Sequence, residues 1–252
     1  SGNFNYALDS ILDANGNIVV AGYKRNEIDT DLLIKYFDSS DLNEMTYLTP
    51  SGLETSNKNE IIQNIAIQTD GKLLFIGSSI SSKDSAIEII RLNSDGSIDN
   101  GFGINGKVSI NNENYWETGN DIVALDSGNI LLAGTQNTGS QANFFISQLD
   151  PNGAVDTTFG DNGSIVVDFG NSSDFAKSMI VQDDGSIIVV GFSDYGDGPA
   201  SQKTNNFAMV RILKDGSLDE SFGEAGYVIT DFGDSDYAND VALQSDGKLL
   251  IA

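Results

Sequence analysis

The 252-residue sequence predicts an all-β protein, a β-propeller of four-stranded antiparallel blades, on three observations. One phrase, a turn glycine followed by an apolar strand, occurs five times. The strands after these turns are apolar without alternation, and no amphipathic helical pattern of useful length is present. The turn glycines are 55, 57, 57 and 62 residues apart, at Gly16, Gly71, Gly128, Gly185 and Gly247. A period of this length is typical of propellers, solenoids and repeat arrays.

The turn before each apolar strand carries an Asn-Gly, Asp-Gly or Ser-Gly pair, such as Asn15-Gly16. Asn-Gly and Asp-Gly between apolar runs predict hairpins, because both residues tolerate positive φ. The strands that follow, for example 73–76 and 187–190, are apolar at every position. A strand that is apolar on both faces is covered on both faces. Stacked propeller blades cover their central strands in this way, whereas a β-sandwich array is the alternative.

A second phrase interleaves with the first and contains an Asp-Gly or Asn-Gly turn followed by Phe-Gly-x-x-Gly. It occupies residues 91–106, 148–163 and 211–226, and an eroded copy runs over 35–43. Within the third period we expect strands at 107–110, 120–125, 129–134 and 144–149, which would form one blade. Counted along the chain, this pattern gives 18 strands, with three in the first repeat and three in the last. It corresponds to about four to five blades built from a repeat of about 57 residues.

These motifs resemble the delta-sixty repeat of bacterial proteins, strongly over residues 60–252 and weakly over 35–56. The resemblance implies β-propeller modules of secreted or surface-exposed proteins, often very large ones with adhesin-like or sorting domains. It implies no catalytic residues, because the motif consists of turns and core. We therefore expect a protein that is not an enzyme. We also expect residues 1–252 to form a single repeat domain within a larger propeller, since the sequence opens and stops inside a repeat.

Composition restricts the partners. The chain has 37 acidic and 13 basic residues, for a net charge of −24, and neither cysteine nor histidine. This charge repels nucleic acid and anionic lipid, and the apolar runs are too short for membrane insertion. The missing residue types exclude disulfides, zinc fingers, and thiol or histidine catalysis. We expect an extracellular or cell-surface location, a glycan or protein partner, and self-association through open strand edges as a further option.

One polar position, seven residues before each turn glycine, suggests a cation site. It is occupied by Asp9, Asn64, Asp121, Ser178 and Asp240. If its strand is innermost, these side chains could ring the central channel, and the three aspartates could bind Ca²⁺. The alternative is that they satisfy backbone groups at the channel wall. The sequence requires no cofactor, and Ca²⁺ is the candidate ion. The turns at 13–16 and 150–153 also carry oxygen ligands, but hairpin chemistry alone explains them.

A cationic position recurs inside an otherwise apolar strand, and an aspartate follows eight residues later in most copies. The cationic position holds Lys35, Arg91 and Arg211, with Gln148 in the third copy, and the aspartates are Asp99, Asp156 and Asp219. A buried arginine needs a partner, so we predict a structural hydrogen bond or ion pair in each blade. We expect Phe102, Phe159 and Phe222 to anchor the connections between blades.

Two loops break the period, at 112–117 and 194–205. Loops on a repetitive scaffold often carry function, and an aromatic residue flanked by carboxylates suits a sugar face or a protein hot spot. The candidate ligand-binding residues are Glu113, Tyr115, Trp116, Glu117, Asp194, Tyr195 and Asp197. The leading hypothesis is an extracellular bacterial module with binding or structural roles in an adhesin-like protein. The alternatives are a carbohydrate-active propeller enzyme, either glycosidase or lyase, and an architectural spacer or filament subunit.

Overall fold

The computed structural model describes residues 4–27, 29–45, 58–112, 115–170, 173–194 and 204–252. In these ranges the chain forms 18 β-strands and no helix, and so no helix that could cross a membrane. The strands form four sheets of four strands and one of two. The chain divides into two compact units, Ser1–Ile130 with Leu149–Ala154, and Leu131–Gln148 with Val155–Ala252. The single repeat domain stays a prediction.

Sheets 1 and 2 lie in the first unit. Sheet 1 consists of β1 (Phe4–Leu12), β2 (Ile18–Arg25), β3 (Thr30–Phe37) and β4 (Glu44–Met45). Sheet 2 consists of β5 (Asn59–Ile67), β6 (Leu73–Ile80), β7 (Ser85–Leu92) and β8 (Lys107–Ile110). All neighbouring strands pair antiparallel, in chain order.

The remaining sheets repeat this order. Sheet 3 consists of β9 (Trp116–Ala124), β10 (Ile130–Asn137), β11 (Ala142–Leu149) and β12 (Ser164–Val167). Sheet 4 consists of β13 (Asp174–Val181), β14 (Ile187–Ser193), β15 (Asn206–Ile212) and β16 (Tyr227–Thr230). Sheet 5 pairs β17 (Val241–Leu243) with β18 (Leu249–Ile251).

The predicted grouping of strands into blades is wrong by one strand. The strand at 107–110 was expected to share a blade with the three strands after it, but it pairs with β7, where Ile89 faces Val108. The reason is that the Phe-Gly turn folds the chain back beside the strand that precedes it. Sheet 1 likewise has four strands instead of three, because β4 pairs with Tyr36 and Phe37.

The five turn glycines adopt the conformation that the sequence predicted. Their φ angles lie between +80° and +88°, a region that residues with a Cβ rarely enter. In the first of these turns, Asp13 Oδ1 accepts hydrogen bonds from the backbone N–H groups of Asn15 and Asn17, both at 2.8 Å. The turn is therefore held by its own side chain and backbone, as the hairpin interpretation requires.

A bulge recurs in the first strand of the sheets, opposite a glycine of the second strand. The strand register shifts between Ala7 and Asp9 in β1, and at the equivalent places in β5 and β13. Opposite these bulges lie Gly22, Gly77 and Gly191. A Cβ on any of the three would stand 1.8 to 2.0 Å from a carbonyl oxygen of the first strand. Glycine is therefore required here by backbone packing.

Each unit has its own apolar core. In the first unit, one face of sheet 1 packs on one face of sheet 2 and buries residues such as Ala21, Ile34, Phe75 and Ile90. All eight residues of β7 and all but Ile80 in β6 are buried, which confirms that these strands are covered on both faces. In the second unit, Ile188 and Val190 of sheet 4 pack with Val241 of sheet 5.

Candidate functional site

The two ends of each sheet differ in sequence character. We call the end that carries the glycine turns and the Phe-Gly turns the repeat end. The opposite end carries the second-to-third strand loop and the connection to the next sheet, and we call it the variable end. In sheet 1, the turn at 13–17 lies at the repeat end and the connection from β2 to β3 at the variable end. Both loops that break the period, 112–117 and 194–205, connect strands at variable ends.

At the first of these loops, the structure separates the candidate residues by exposure. Trp116, the first residue of β9, is 42% exposed. Glu117 is 1% exposed, and its Oε2 accepts a hydrogen bond from the backbone N–H of Asn112 at 3.0 Å. The backbone N–H of Tyr115 donates to the Asn112 carbonyl at 2.8 Å. The Glu117 side chain is therefore buried and holds the backbone of Asn112, whereas the Trp116 side chain is exposed to solvent.

Of the four remaining candidates, Asp194 is the one that lies within the described residues. Asp194 follows β14 and is partly buried, and its backbone N–H donates to the Ser173 carbonyl at 2.9 Å. Glu113, Tyr195 and Asp197 lie outside the described residues. Ligand binding by these seven candidates stays a prediction.

The three aspartates proposed for Ca²⁺ all make structural hydrogen bonds. Each accepts a bond from the backbone N–H of the following residue: Asp9 from Ser10, Asp121 from Ile122, and Asp240 from Val241, at 2.7 to 2.8 Å. Two of them also join adjacent sheets, because Asp9 Oδ2 accepts from the Ile65 N–H at 2.8 Å and Asp240 Oδ1 from Ser178 Oγ at 3.0 Å.

These contacts are the structural alternative that the sequence left open. Among the described residues, no three acidic side chains are grouped closely enough to hold a metal ion. Calcium binding by Asp9, Asp121 and Asp240 stays a prediction.

The aspartates of the repeat-end turns also accept structural hydrogen bonds. Asp95 Oδ1 accepts from the backbone N–H and the hydroxyl of Ser97, at 2.9 and 2.6 Å, and Asp215 does the same with Ser217. These hydrogen bonds, the hydroxyl's first, lower the pKa of both carboxyls below the ordinary value. Hydrogen bonds within the turn thus account for these carboxylates.

The recurring pair eight residues apart is confirmed. Arg91 Nε donates to Asp99 Oδ2 at 2.8 Å, and Arg211 Nε to Asp219 Oδ2 at 2.6 Å. In the third copy, Gln148 Nε2 donates to Asp156 Oδ2 at 2.8 Å, so the amide replaces the guanidinium in the same geometry. The pair ties the end of the third strand to the Phe-Gly turn in each copy.

The sequence did not indicate that the arginine also lies over the phenylalanine of the turn. The guanidinium carbon of Arg91 is 4.4 Å from the centre of the Phe102 ring, and that of Arg211 is 4.7 Å from the Phe222 ring. Phe102 is fully buried. This cation–π contact gives each of the two guanidinium groups a second partner besides its carboxylate.

The Phe-Gly turn and the arginine before it also contact the Asn-Gly or Asp-Gly turn in the next copy of the second phrase. In the first unit, Arg91 Nη1 donates to the Pro151 carbonyl at 2.6 Å, and the Gly103 N–H donates to the Asn152 carbonyl at 2.8 Å. In the second unit, the Gly160 N–H makes the same bond to the Asp215 carbonyl at 2.8 Å. The repeated motif therefore joins successive repeats, which agrees with the anchoring role expected for these turns.

Asp99 gives this junction a pH dependence. Partial burial raises the pKa of Asp99, but hydrogen bonds from Lys72 and the Gly101 N–H, with the charge of Arg91, outweigh it and hold the pKa below its ordinary value. The stability from a lowered carboxyl pKa is present above the unfolded-state pKa, about 3.9, and is lost as the pH falls through the folded-state pKa.

We expect Asp99→Asn to melt below the wild type at pH 6, with the difference in melting temperature narrowing below about pH 4, where Asp99 takes up a proton in the unfolded chain while it is still ionised in the folded protein. Circular dichroism melts from pH 3 to pH 7 measure this. A difference in melting temperature that stays constant down to pH 3 would contradict the assigned role of the Asp99 carboxylate.

The first unit has a cleft of about 400 Å³ at the variable end of sheets 1 and 2. Its walls include Tyr23, Ile61 and Ile80, and polar residues of the β2–β3 loop line its rim. The Tyr23 ring stacks on the Tyr6 ring, with centroids 4.7 Å apart and planes 17° apart. Thr30 and Asn59 bridge the two sheets, since Asn59 Oδ1 accepts from the Thr30 N–H at 3.1 Å.

This cleft was missed at the sequence level. Its lining comes from two sheets, so no single motif contains it. One signal was available: the chain has three arginines, and only Arg25 falls outside the recurring cationic position. A second signal was the cross-strand aromatic pair, Tyr6 with Tyr23, which sheet 4 repeats as Phe175 with Phe192.

Comparison with known protein families gives one match. Residues 68–102, 126–159 and 182–222 match the family described as Domain of unknown function (DUF5122) beta-propeller. The match supports a β-propeller repeat family and does not single out the delta-sixty repeat. No curated protein matches the chain.

Several solved structures have a similar backbone at low sequence identity. An endo-arabinase from Bacteroides thetaiotaomicron VPI-5482 is 10% identical, with a TM-score of 0.54 over 100% of this chain and 89% of that one. A mannose phosphorylase from Leishmania mexicana, in complex with phosphate ion, is 11% identical, with a TM-score of 0.48 over 100% of this chain and 77% of that one.

A third similar structure is the PQQ-bound aldose sugar dehydrogenase from Streptomyces coelicolor, 12% identical, with a TM-score of 0.46 over 94% of this chain and 85% of that one. The family match, the endo-arabinase likeness and the four-stranded sheets together confirm the predicted β-propeller fold. At these identities the likeness concerns the fold, and it neither establishes nor excludes enzymatic activity.

Proposed function

We propose that this β-propeller chain is a binding module of an extracellular or surface-exposed bacterial protein, similar to delta-sixty repeat modules. Its variable sheet ends present side chains to a glycan or protein partner, and its repeat ends hold successive repeats together. The observation that carries the proposal is this division: the repeated side chains are used in structural contacts, whereas Trp116 is exposed at the start of β9, where a connection that breaks the period ends.

The chemistry of the chain supports this proposal. With a net charge of −24, no cysteine and no histidine, the chain suits neither nucleic acid binding nor histidine or thiol catalysis. An exposed indole offers a flat apolar face with one hydrogen-bond donor, the surface that sugar rings and protein hot spots use. Glu117 and Asn112 fix the start of β9, so the ring is held on a rigid strand.

Two alternatives predict different results. A carbohydrate-active enzyme would turn over its ligand, and the described residues give no carboxylate pair that the repeat singles out for this chemistry. An architectural spacer or filament subunit would bind no ligand and would associate with itself through strand edges.

Trp116→Ala is the test of the proposed function. We expect it to weaken binding of the partner at least tenfold without lowering the melting temperature by more than a few degrees, because the ring is solvent-exposed. The measurement is binding of the purified chain to an array of immobilised glycans and extracellular proteins. Equal binding by Trp116→Ala and the wild type to every ligand would contradict the use of this surface.

A further inference from the structure

The cleft of the first unit contains the one arginine that the repeat does not use. Arg91 and Arg211 are each committed to an aspartate and a phenylalanine. Arg25, the third, lines the cleft and is exposed, and its guanidinium makes no hydrogen bond or ion pair with the described residues. In a chain of net charge −24, a guanidinium that pairs with no described carboxylate has hydrogen-bond donors available to a ligand.

The walls of the cleft offer an apolar surface of limited size. Tyr23 is held in place by its stack with Tyr6, so its ring is rigid before any ligand binds. Ile61 and Ile80 add aliphatic surface from sheet 2. A rigid aromatic ring beside two branched side chains packs against the C–H face of a pyranose or furanose ring.

The rim combines hydrogen-bond donors with acceptors. Arg25 and the amide nitrogen of Asn59 can donate, since the only contacts of Asn59 with the described residues, from the backbone N–H and the hydroxyl of Thr30, both use its oxygen. Asp29 can accept, and its position is fixed because Asn26 Nδ2 donates to Asp29 Oδ1 at 2.6 Å. Sugar hydroxyl groups both donate and accept, so a rim of this mixed kind can satisfy adjacent hydroxyls in pairs.

The charge of the rim decides between neutral and acidic ligands. Glu27 and Asp29 lie on the same rim as Arg25, and the chain as a whole is strongly negative. A uronate would gain one arginine contact but would face two carboxylates in the same field. A neutral saccharide avoids this repulsion and still uses the arginine as a donor.

We propose that this cleft is a saccharide-binding site for a neutral oligosaccharide, with Tyr23 stacking on a sugar ring and Arg25, Asp29 and Asn59 hydrogen-bonding its hydroxyls. The inference rests on the proposed binding function, and it names a second surface and the ligand class.

The test is isothermal titration calorimetry of the 252-residue chain with neutral gluco-, manno-, xylo- and arabino-oligosaccharides, and with oligogalacturonate as the acidic probe. Arg25→Gln is the variant. Lys24→Gln is its matched control, because it removes the same charge from the neighbouring position, on the opposite face of the strand and outside the cleft lining.

We expect at least one neutral oligosaccharide to bind, and Arg25→Gln to weaken it about tenfold, the loss of one charge-assisted hydrogen bond, with Lys24→Gln unchanged. Equal affinity of Arg25→Gln and the wild type would overturn the cleft as the site. Tighter binding of oligogalacturonate, or no neutral oligosaccharide bound at millimolar concentration, would overturn the ligand class. The effect of Trp116→Ala on the array is independent of all three outcomes, so the proposed function can stand if this inference fails.

Discussion

Gly77→Ala is expected to destabilise the protein by about 3 kcal/mol or more, because a Cβ at this position would stand 1.8 Å from the Ile61 carbonyl oxygen. The neighbouring atom is backbone, held in the bulge of β5, so no side-chain rotation can relieve the overlap. Gly22 and Gly191 face the same contact in sheets 1 and 4. The bulge and its glycine thus form one unit of the repeat.

Gly139→Ala is the control for this prediction. Gly139 has φ +87°, so alanine is strained there, but a Cβ would meet no heavy atom within 4 Å. We expect it to cost about 1 kcal/mol, the effect of backbone conformation alone. Urea unfolding followed by fluorescence compares the two variants. Similar midpoints for Gly77→Ala and Gly139→Ala would contradict the assigned role of the close backbone approach.

Arg91→Met is expected to lower the free energy of unfolding by about 3 kcal/mol, since it removes two charge-assisted hydrogen bonds, to the Asp99 carboxylate and to the Pro151 carbonyl, although Lys72 still pairs with Asp99. The side chain is 7% exposed, so water cannot replace these partners fully. The stack on Phe102 is lost as well. Gln148→Met is the matched control, because it removes a single neutral hydrogen bond to Asp156 at the same position of the repeat.

We expect the control to cost about 1 kcal/mol, as for an ordinary hydrogen bond. Chemical denaturation of both variants measures the difference. If Arg91→Met and Gln148→Met lowered the free energy of unfolding equally, the contacts of Arg91 would contribute no more to stability than the single hydrogen bond of Gln148.

The fold was predictable where the sequence repeats. The period gave the five glycine turns, and the spacing of eight residues gave the Arg91–Asp99 contact and its two counterparts. The grouping of strands into blades was not predictable, because a strand between two turns can pair with the strand before it or the strand after it, and no sequence motif distinguishes the two. Only the backbone shows that β8 folds back onto β7.

The candidate site was less predictable than the fold. Glu117 was chosen as a surface carboxylate, but alternation along β9 places it opposite to Trp116, and it is buried. The cleft depends on Tyr23 and Asn59, which are far apart in the chain and meet only through the packing of sheet 1 on sheet 2. Arg25 belongs to no repeated motif, and the role proposed for it rests on the fact that the repeat uses the other two arginines.

The two ends of each sheet differ in the way that one repeat would need to combine stability with the proposed binding function. At the repeat end, polar side chains make the hydrogen bonds of the turns and junctions, so we expect substitutions there to destabilise the protein. The variable end carries loops of differing length and sequence, where substitutions alter the surface without breaking these contacts.

The most direct test of this account compares two exposed apolar residues at opposite ends of the first unit, Trp116 at a variable end and Ile104 in the Phe-Gly turn, which is 81% exposed. The measurement is binding of Trp116→Ala and Ile104→Ala to the array of glycans and extracellular proteins. If the variable ends bind the partner, Trp116→Ala loses a ligand that the wild type and Ile104→Ala both bind. Equal loss in the two variants, or no ligand for the wild type, would contradict it.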